Sequence, residues 1–331
     1  MENAEQYNNA LYQRTAEIQS RASDGLDIKE RYEKEADFAL RSADVTFAEG
    51  ERILDLACGA GGHANVMRER TGVDIDAMDI SVPLLEIAQR HEVTALQGGV
   101  RGKINFLEGS YGAIKEKIPR TAKYKLVTIL GSSFMYLDTP EAHRQALRDY
   151  HDVLAPGGKL VIQFRDRGDR QYDDGKRTEW GTKLGVERTD REVEWPHDKF
   201  GHYAHGAKSV TQLKDTAVGD GFYFYEAELT DEQIQQRHLQ ERKDEKTDKK
   251  YYVGDDEVPH YSFGRTYFDA NGDETDLGTT TLIDYTSEKS FPVVKRMLEK
   301  AGFRNVELKS EPLSPDGAWR NFVVVAEKPL A

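Results

Sequence analysis

Cysteine is nearly missing from this sequence. Cys58 is the single one in 331 residues. No disulfide can form within the chain, which fits a reducing compartment. Long apolar runs are missing too: no stretch approaches the roughly 18–20 consecutive apolar residues that a spanning helix needs. The first residues, MENAEQYNNALYQR, lack the basic start and apolar run of a secretory signal, so none is expected. An excess of basic charge is also absent. Lys and Arg number 46 against 59 Asp and Glu, a formal net charge of −13. Such a chain is a poor partner for a phosphate backbone or an anionic membrane surface. There is no long-period repeat and no low-complexity tract. These absences leave a cytoplasmic protein for which neither a nucleic acid nor a membrane partner is expected.

What is present is enough to build a core: 38% of residues are hydrophobic and 10% aromatic. Residues 1–50 read as a helical N-terminal arm or lid. Leu11 and Ile18, then Tyr32, Ala36, Phe38, Ala39 and Leu40, are roughly helix-spaced, and Ser23-Asp24-Gly25 breaks the arm into two pieces. From residue 52 to 164 strands and helices alternate. Strands are expected at Arg52–Ala57, Ile75–Asp79, Ile104–Leu107, Lys125–Leu130 and Leu160–Phe164; helices at His63–Arg70, Pro83–His91 and Glu141–Leu154. Pro156-Gly157-Gly158 reads as a tight turn before the fifth strand. The continuous apolar character of Lys125–Leu130 suggests burial on both faces. This alternation implies an α/β fold with a doubly wound, mostly parallel sheet.

The rhythm breaks over 166–285. Charged turns such as Asp173-Asp174-Gly175 and DANGD at 269–273 separate β-prone runs at Phe222–Tyr225, Tyr251–Val253, Tyr261–Tyr267 and Thr279–Tyr285. This is an antiparallel β-rich insertion that caps the substrate side. A helix at Phe291–Gly302 and strands at Asn305–Leu308 and Asn321–Glu327 restore the α/β pattern and complete a core of 51–165 and 286–331.

The chemistry centres on ILDLACGAGGHA, Ile53 to Ala64: a strand, a run of glycines, then a helix. Gly59, Gly61 and Gly62 let a backbone approach a ligand without Cβ clashes, and the helix start offers unpaired N–H groups. Asp79 ends the next strand, placed to accept hydrogen bonds from ribose hydroxyls or else to cap a helix. Asp55 sits inside the first strand, beside a ligand or as a cap of the glycine turn. A lone glycine-rich turn does not separate nicotinamide enzymes from other nucleotide binders. Here, however, there is no clean GxGxxG, and NFLEGSYGAI and LAPGGKLVI follow at the third and fifth strands.

Together these four ordered motifs resemble the class I S-adenosylmethionine (SAM)-dependent methyltransferases, over residues 50–165 and 291–328. The resemblance implies a Rossmann-like seven-stranded sheet, SAM as cofactor and S-adenosyl-L-homocysteine as product. It places Gly59 and Gly61 along the methionine and ribose, Asp55 near the SAM amino group, Asp79 on the ribose hydroxyls, and Ile80 and Leu84 beside the adenine. Ala57 and Leu130 complete the cofactor set. Many members carry an Asp at the position of Ser110; here an uncharged hydroxyl stands there, with Tyr111 as a stacking candidate.

A narrower similarity follows the fourth strand. LGSSFMYL, Leu130 to Leu137, looks like the LGNSFxHL segment of glycine and glycine/sarcosine N-methyltransferases, and Ile162-Gln163-Phe164-Arg165 is similar to their IDHR. By that resemblance Arg165 clamps a substrate carboxylate, as the forked guanidinium suits; the alternative is a surface ion pair. Ser132 and Tyr136 replace the family's Asn and His, which puts glycine itself in doubt as the substrate. The implied reaction is in-line attack by a neutral amine on the SAM methyl carbon, with donor and acceptor held about 3–3.5 Å apart. Tyr136, Ser132 and an arm tyrosine (Tyr7, Tyr12 or Tyr32) are the groups that orient the lone pair.

The expectation is therefore a methyltransferase of a small, amino-acid-like amine. Its rivals are an O- or C-methyltransferase of a larger natural product, and a SAM-binding regulator without turnover. Cys58 reads as a packing residue rather than a nucleophile. His197, His202 and His205 have no Cys or acidic partner at a metal-site spacing; they read as loop histidines, and no metal is expected. The insertion tyrosines (Tyr223, Tyr225, Tyr251, Tyr252, Tyr261, Tyr267) form an aromatic cage or one packed face of a sheet. Oligomeric state is open: the arm covers its own site or a neighbour's in a homo-oligomer.

Overall fold

The computed structural model describes residues 28–97, 101–119, 121–137, 139–165, 186–191, 210–215, 221–227, 229–243, 250–254, 257–283, 290–312 and 320–330, with residues 16 and 99. The chain divides into two compact units, one of Lys29–Asp169 with Tyr285–Ala331, the other of Met1–Ile28 with Arg170–Asp284. The division cuts through the first 50 residues. The second helical piece expected there is a helix, α1 (Ile28–Ala43), that belongs to the core unit; the first piece lies outside the described residues.

In the core unit, β1 (Arg52–Leu56), β2 (Asp74–Asp79), β3 (Ile104–Glu108), β4 (Tyr124–Ile129) and β5 (Leu154–Arg165) alternate with α2 (Gly62–Thr71), α3 (Val82–Gln97) and α4 (Pro140–Val153). Later strands join them in one seven-stranded sheet: β13 (Arg304–Pro312) and β14 (Arg320–Glu327), preceded by α6 (Phe291–Lys300). The order is β13-β14-β5-β4-β1-β2-β3, with β14 antiparallel to both its neighbours and β1 to β5 parallel. Strands buried on both faces read as near-continuous apolar runs. Ile53, Leu54, Leu56, Leu126, Val127 and Ile129 are accordingly all buried.

Helix ends follow local chemistry. Thr139 caps α4 by accepting from Ala142 N, and Pro140 fills its first turn. Gly72, at φ +69°, ends α2 in the left-handed conformation and donates to Arg68 O. The Pro156-Gly157-Gly158 turn is not a separate connection. β5 already pairs at Leu154, and the three residues form a bulge before pairing resumes at Lys159, with Gly157 at φ +70°. The bulge is tied down by Gly157 N donating to Lys328 O and Lys328 N donating to Gly158 O. Arg68, fully buried on α2, bonds Glu92 of α3 and Asn65, and the other Glu92 oxygen accepts from Ile104 N of β3.

The second unit holds an antiparallel sheet: β6 (Val186–Arg191), β7 (Val210–Asp215), β8 (Gly221–Ala227), β11 (Pro259–Phe268), β10 (Lys250–Val253) and β9 (Gln240–Lys243), in that order. β12 (Glu274–Ile283) pairs with the free edge of β11, opposite β8. A short helix, α5 (Asp231–Gln236), starts in a capping box built by Thr230 and Gln233. Along β11, His260, Ser262 and Gly264 are buried.

Candidate active site

β1 and β4 lie side by side, yet the chain leaves β1 towards β2 and leaves β4 towards β5. The crevice beyond their carboxyl ends is the switch point where open α/β sheets bind ligands. Leu56 and Ile129 are the last register pair there. The next residues turn sharply: Ala57 lies at φ +55° and Gly59 at +55° after β1, Gly131 at +69° and Ser132 at +63° after β4. Ala57 and Ser132 are not glycines, and a left-handed non-glycine costs on the order of 1 kcal/mol or more. Strain falls in both loops that sequence reasoning singled out.

Two acids face this crevice. Asp79, at the end of β2, accepts Gly59 N at 2.8 Å and Ser81 N at 2.9 Å, so its carboxylate fixes both the glycine loop and the start of α3. Burial raises its pKa against the opposing pull of those N–H groups. Asp55, in β1, accepts the Thr128 hydroxyl at 2.8 Å through one oxygen. Its other oxygen is buried with no hydrogen-bond partner among the described residues. Burial lifts this carboxyl to about 6, partly offset by His63 and the Thr128 bond. Cys58 beside them is buried and its thiol pushed well up by desolvation, the state of a packing residue.

The remaining expected residues divide by use. A Cβ on Gly59 would meet only Leu84, at 4.0 Å, so the space above it is open. A Cβ on Gly61 would crowd Ala88 and Phe106, which makes Gly61 the close helix–sheet contact. Leu84 and Leu130 are buried, and Ile80 is half-buried. The Ser110 hydroxyl accepts Gly112 N, shaping its own turn, and Tyr111 donates to Ser133 O, bracing the loop after β4. Tyr136 ends a 3-10 turn, Ser133–Tyr136, pinned where His143 of α4 meets Phe134 O at 2.8 Å. The backbone of Arg165 pairs with Asn321; its side chain, the His197/His202/His205 run, Tyr7 and Tyr12 lie outside the described residues. Among the described residues no group of three or more His, Cys, Asp or Glu is placed to hold a metal ion.

Two partners, Glu35 and Gln163, were missed, and Tyr32, expected among the groups that orient the acceptor, packs on the glycine-loop helix. Glu35 of α1, wholly buried, bonds His63 at 2.7 Å and accepts Arg31 Nε at 3.2 Å. Burial would raise Glu35, but Arg31 and His63 together hold its carboxyl below the usual value. Tyr32, one turn earlier, lies flat against Gly62, where a Cβ would enter its ring, and meets His63 edge-on. Gln163 of β5 accepts Gly131 N at 2.6 Å and donates to Asn321 at 2.7 Å. Only the histidine directly after the glycine run hinted at any of this.

Residues 53–158 match the family described as Methyltransferase domain. The chain carries a class I SAM-dependent methyltransferase domain. Its curated relatives include a demethylmenaquinone methyltransferase of Thermus thermophilus, 34% identical over 42% of this chain and 54% of that protein. The glycine N-methyltransferase of Rattus norvegicus is 28% identical over 35% of this chain and 40% of its own length. The chain thus spans about half, or less, of the curated relatives it matches. Among solved structures, the CcbJ methyltransferase from Streptomyces caelestis aligns over 100% of both chains with a TM-score of 0.58 at 13% identity, a likeness of fold.

The methyltransferase domain's residues fit SAM by their chemistry. The orphaned Asp55 oxygen is a buried anionic acceptor suited to an ammonium group. Asp79 retains lone pairs for ribose hydroxyls after accepting two N–H groups. Open space over Gly59 admits a ligand against the backbone. No helix among the described residues is long and apolar enough to cross a membrane.

Proposed function

We propose that this chain is a methyltransferase that transfers the SAM methyl group to the amine nitrogen of a small, amino-acid-like metabolite. The observation that carries the cofactor half is the buried Asp55 carboxylate with one oxygen unsatisfied, next to an Asp79 already oriented by Gly59 N and Ser81 N. SAM supplies a methyl group on a good leaving group, so little acid–base chemistry is required of the protein. Its residues bind, orient and exclude water. Asp55 takes the amino group and Asp79 the ribose. Ser132 and Tyr136, on the strained loop after β4, orient the acceptor nitrogen, and Arg165 takes the acceptor carboxylate.

The nitrogen reading is supported by the LGSSFMYL and IQFR runs and by the similarity to a glycine N-methyltransferase. One finding favours a second reading, transfer to a larger acceptor: the Thermus relative is named for demethylmenaquinone. Methyl transfer from labelled SAM to a panel of glycine, sarcosine, other amino acids, simple amines and phenols separates them. Turnover of an amino acid that is lost with its ester supports the amine and the Arg165 clamp. Turnover of phenols alone replaces the first reading with the second.

A further inference from the structure

Among the described residues of the core unit, Arg52, Asp55, Arg68 and Asn321 each keep a buried side-chain atom without a hydrogen-bond partner. Arg52 and Arg68 are already matched by ion pairs with Asp76 and Glu92. Asp55 and Asn321 have no such partner charge. Asp55 leaves an acceptor, the oxygen assigned above to the SAM ammonium. Asn321 leaves a donor, Nδ2, on a residue with no exposed surface. A buried N–H without a partner costs free energy, so each one calls for a reason. The chemistry of the neighbours fixes which atom is left over. Gly131 N can only donate, so the Gln163 atom it meets at 2.6 Å is the oxygen. The Gln163 nitrogen then donates to Asn321 Oδ1 at 2.7 Å, which leaves Nδ2 as the orphan.

The position of Asn321 suggests what the donor is for. Asn321 is the second residue of β14 and pairs in register with Arg165, the last residue of β5. β5 runs parallel to β4, so this register pair lies at the carboxyl edge of the sheet. Through Gln163 and Gly131, Asn321 is also tied to the loop that carries Ser132 and Tyr136. Gln163 and Asn321 are both wholly buried, so the donor is oriented before any ligand arrives. A carboxylate offers about four lone-pair sites, more than one guanidinium fork uses. An acceptor carboxylate taken by Arg165 therefore has room for a second donor, and the neighbouring strand carries one at the register position opposite.

We propose that Asn321 binds the methyl acceptor: its Nδ2 donates to a carboxylate oxygen of the substrate and so selects acids over their amides. The proposal rests on the amino-acid reading above and deepens it. The test compares the amino acids of the panel, each against its primary amide, in the unaltered chain, Asn321→Asp and Asn321→Leu. SAM affinity is read separately by calorimetry. Asn321→Asp keeps an oxygen for Gln163 and turns the orphan donor into an acceptor. Its acid-to-amide ratio of kcat/KM falls at least about tenfold, chiefly through KM, while SAM Kd stays within about twofold, the scale of one lost hydrogen bond to a charged group on the acceptor alone. Asn321→Leu removes the donor without adding a charge and lowers the same ratio. Should Asn321→Asp not fold, the Asn321→Leu result alone decides. A ratio unchanged in a variant that still binds SAM overturns the proposal. So does a loss of SAM affinity with the ratio intact, which would assign the donor to the cofactor. An unaltered chain that turns over amides or phenols but no acid overturns the amino-acid reading itself, and this proposal with it.

Discussion

The two sheets of this protein solve burial in different ways. In the core unit β1, β2 and β4 are buried almost end to end, and their sequences (ILDL, IDAMD, LVTI) are apolar but for Asp55, Asp76, Asp79 and Thr128, which are buried with them. In the second unit β11 buries the polar His260 and Ser262, and β9 is exposed along most of its length. The central strands of the parallel sheet leave no solvent face, and the candidate chemistry gathers towards their carboxyl ends. That is where Asp55, Asp79 and the strained Ala57 and Ser132 are found.

Ion pairs sharpen the contrast most. Arg68→Leu leaves Glu92 buried and unpaired, and denaturant unfolding is expected to show a loss of about 3–5 kcal/mol, largely recovered when Glu92→Leu is added. In the other unit Arg242 pairs with Glu257 at 2.8 Å, with Glu257 exposed and Arg242 partly so. Arg242→Leu is expected to cost less than about 1 kcal/mol.

One carboxyl from each unit titrates in the opposite direction to the other. Asp55, lifted by burial to about 6, keeps its proton in the folded chain between about pH 4 and 6, where the unfolded chain has released it. Stability of the SAM-free protein should therefore fall as pH rises through that window, by on the order of 2–3 kcal/mol, and Asp55→Asn should flatten this slope. Asp269 is held below its usual value by N–H groups of the 269–273 turn, Asp273 first. Its contribution is present above about pH 4 and fades as pH drops further, a change that Asp269→Ala removes. Unfolding curves of the three proteins from about pH 2 to 7 read both signs. A smaller effect belongs to Gly62→Ala, which pushes a methyl group into the Tyr32 ring. A loss of about 1–3 kcal/mol is expected, with proteolytic sensitivity rising at α1.

How legible each part was follows from the same physics. Apolar runs and glycine punctuation marked the strands of this sheet within a residue or two, except at β5, where a glycine bulge inside a strand looked like a turn before it, and at β13, which runs to Pro312 rather than the expected Leu308. The glycine loop and Asp79 were legible because they repeat a spacing set by ligand geometry. Glu35 and Gln163 were not. Each is a polar residue in an element whose periodicity is set by its apolar neighbours, and their partners lie far away in sequence. The left-handed Ala57 and Ser132 were invisible for a related reason: surrounding structure imposes a backbone those residues do not prefer.

The central claim is that the carboxyl edge of the parallel sheet holds SAM through Asp55 and Asp79. Calorimetric titration of SAM into the unaltered chain and into Asp79→Ala at pH 7.5 tests it most directly. The account predicts one site per chain, weakened on the order of a hundredfold in the variant, as loss of charge-assisted bonds to two hydroxyls implies. No binding to the unaltered chain, or equal binding by the two proteins, would contradict it.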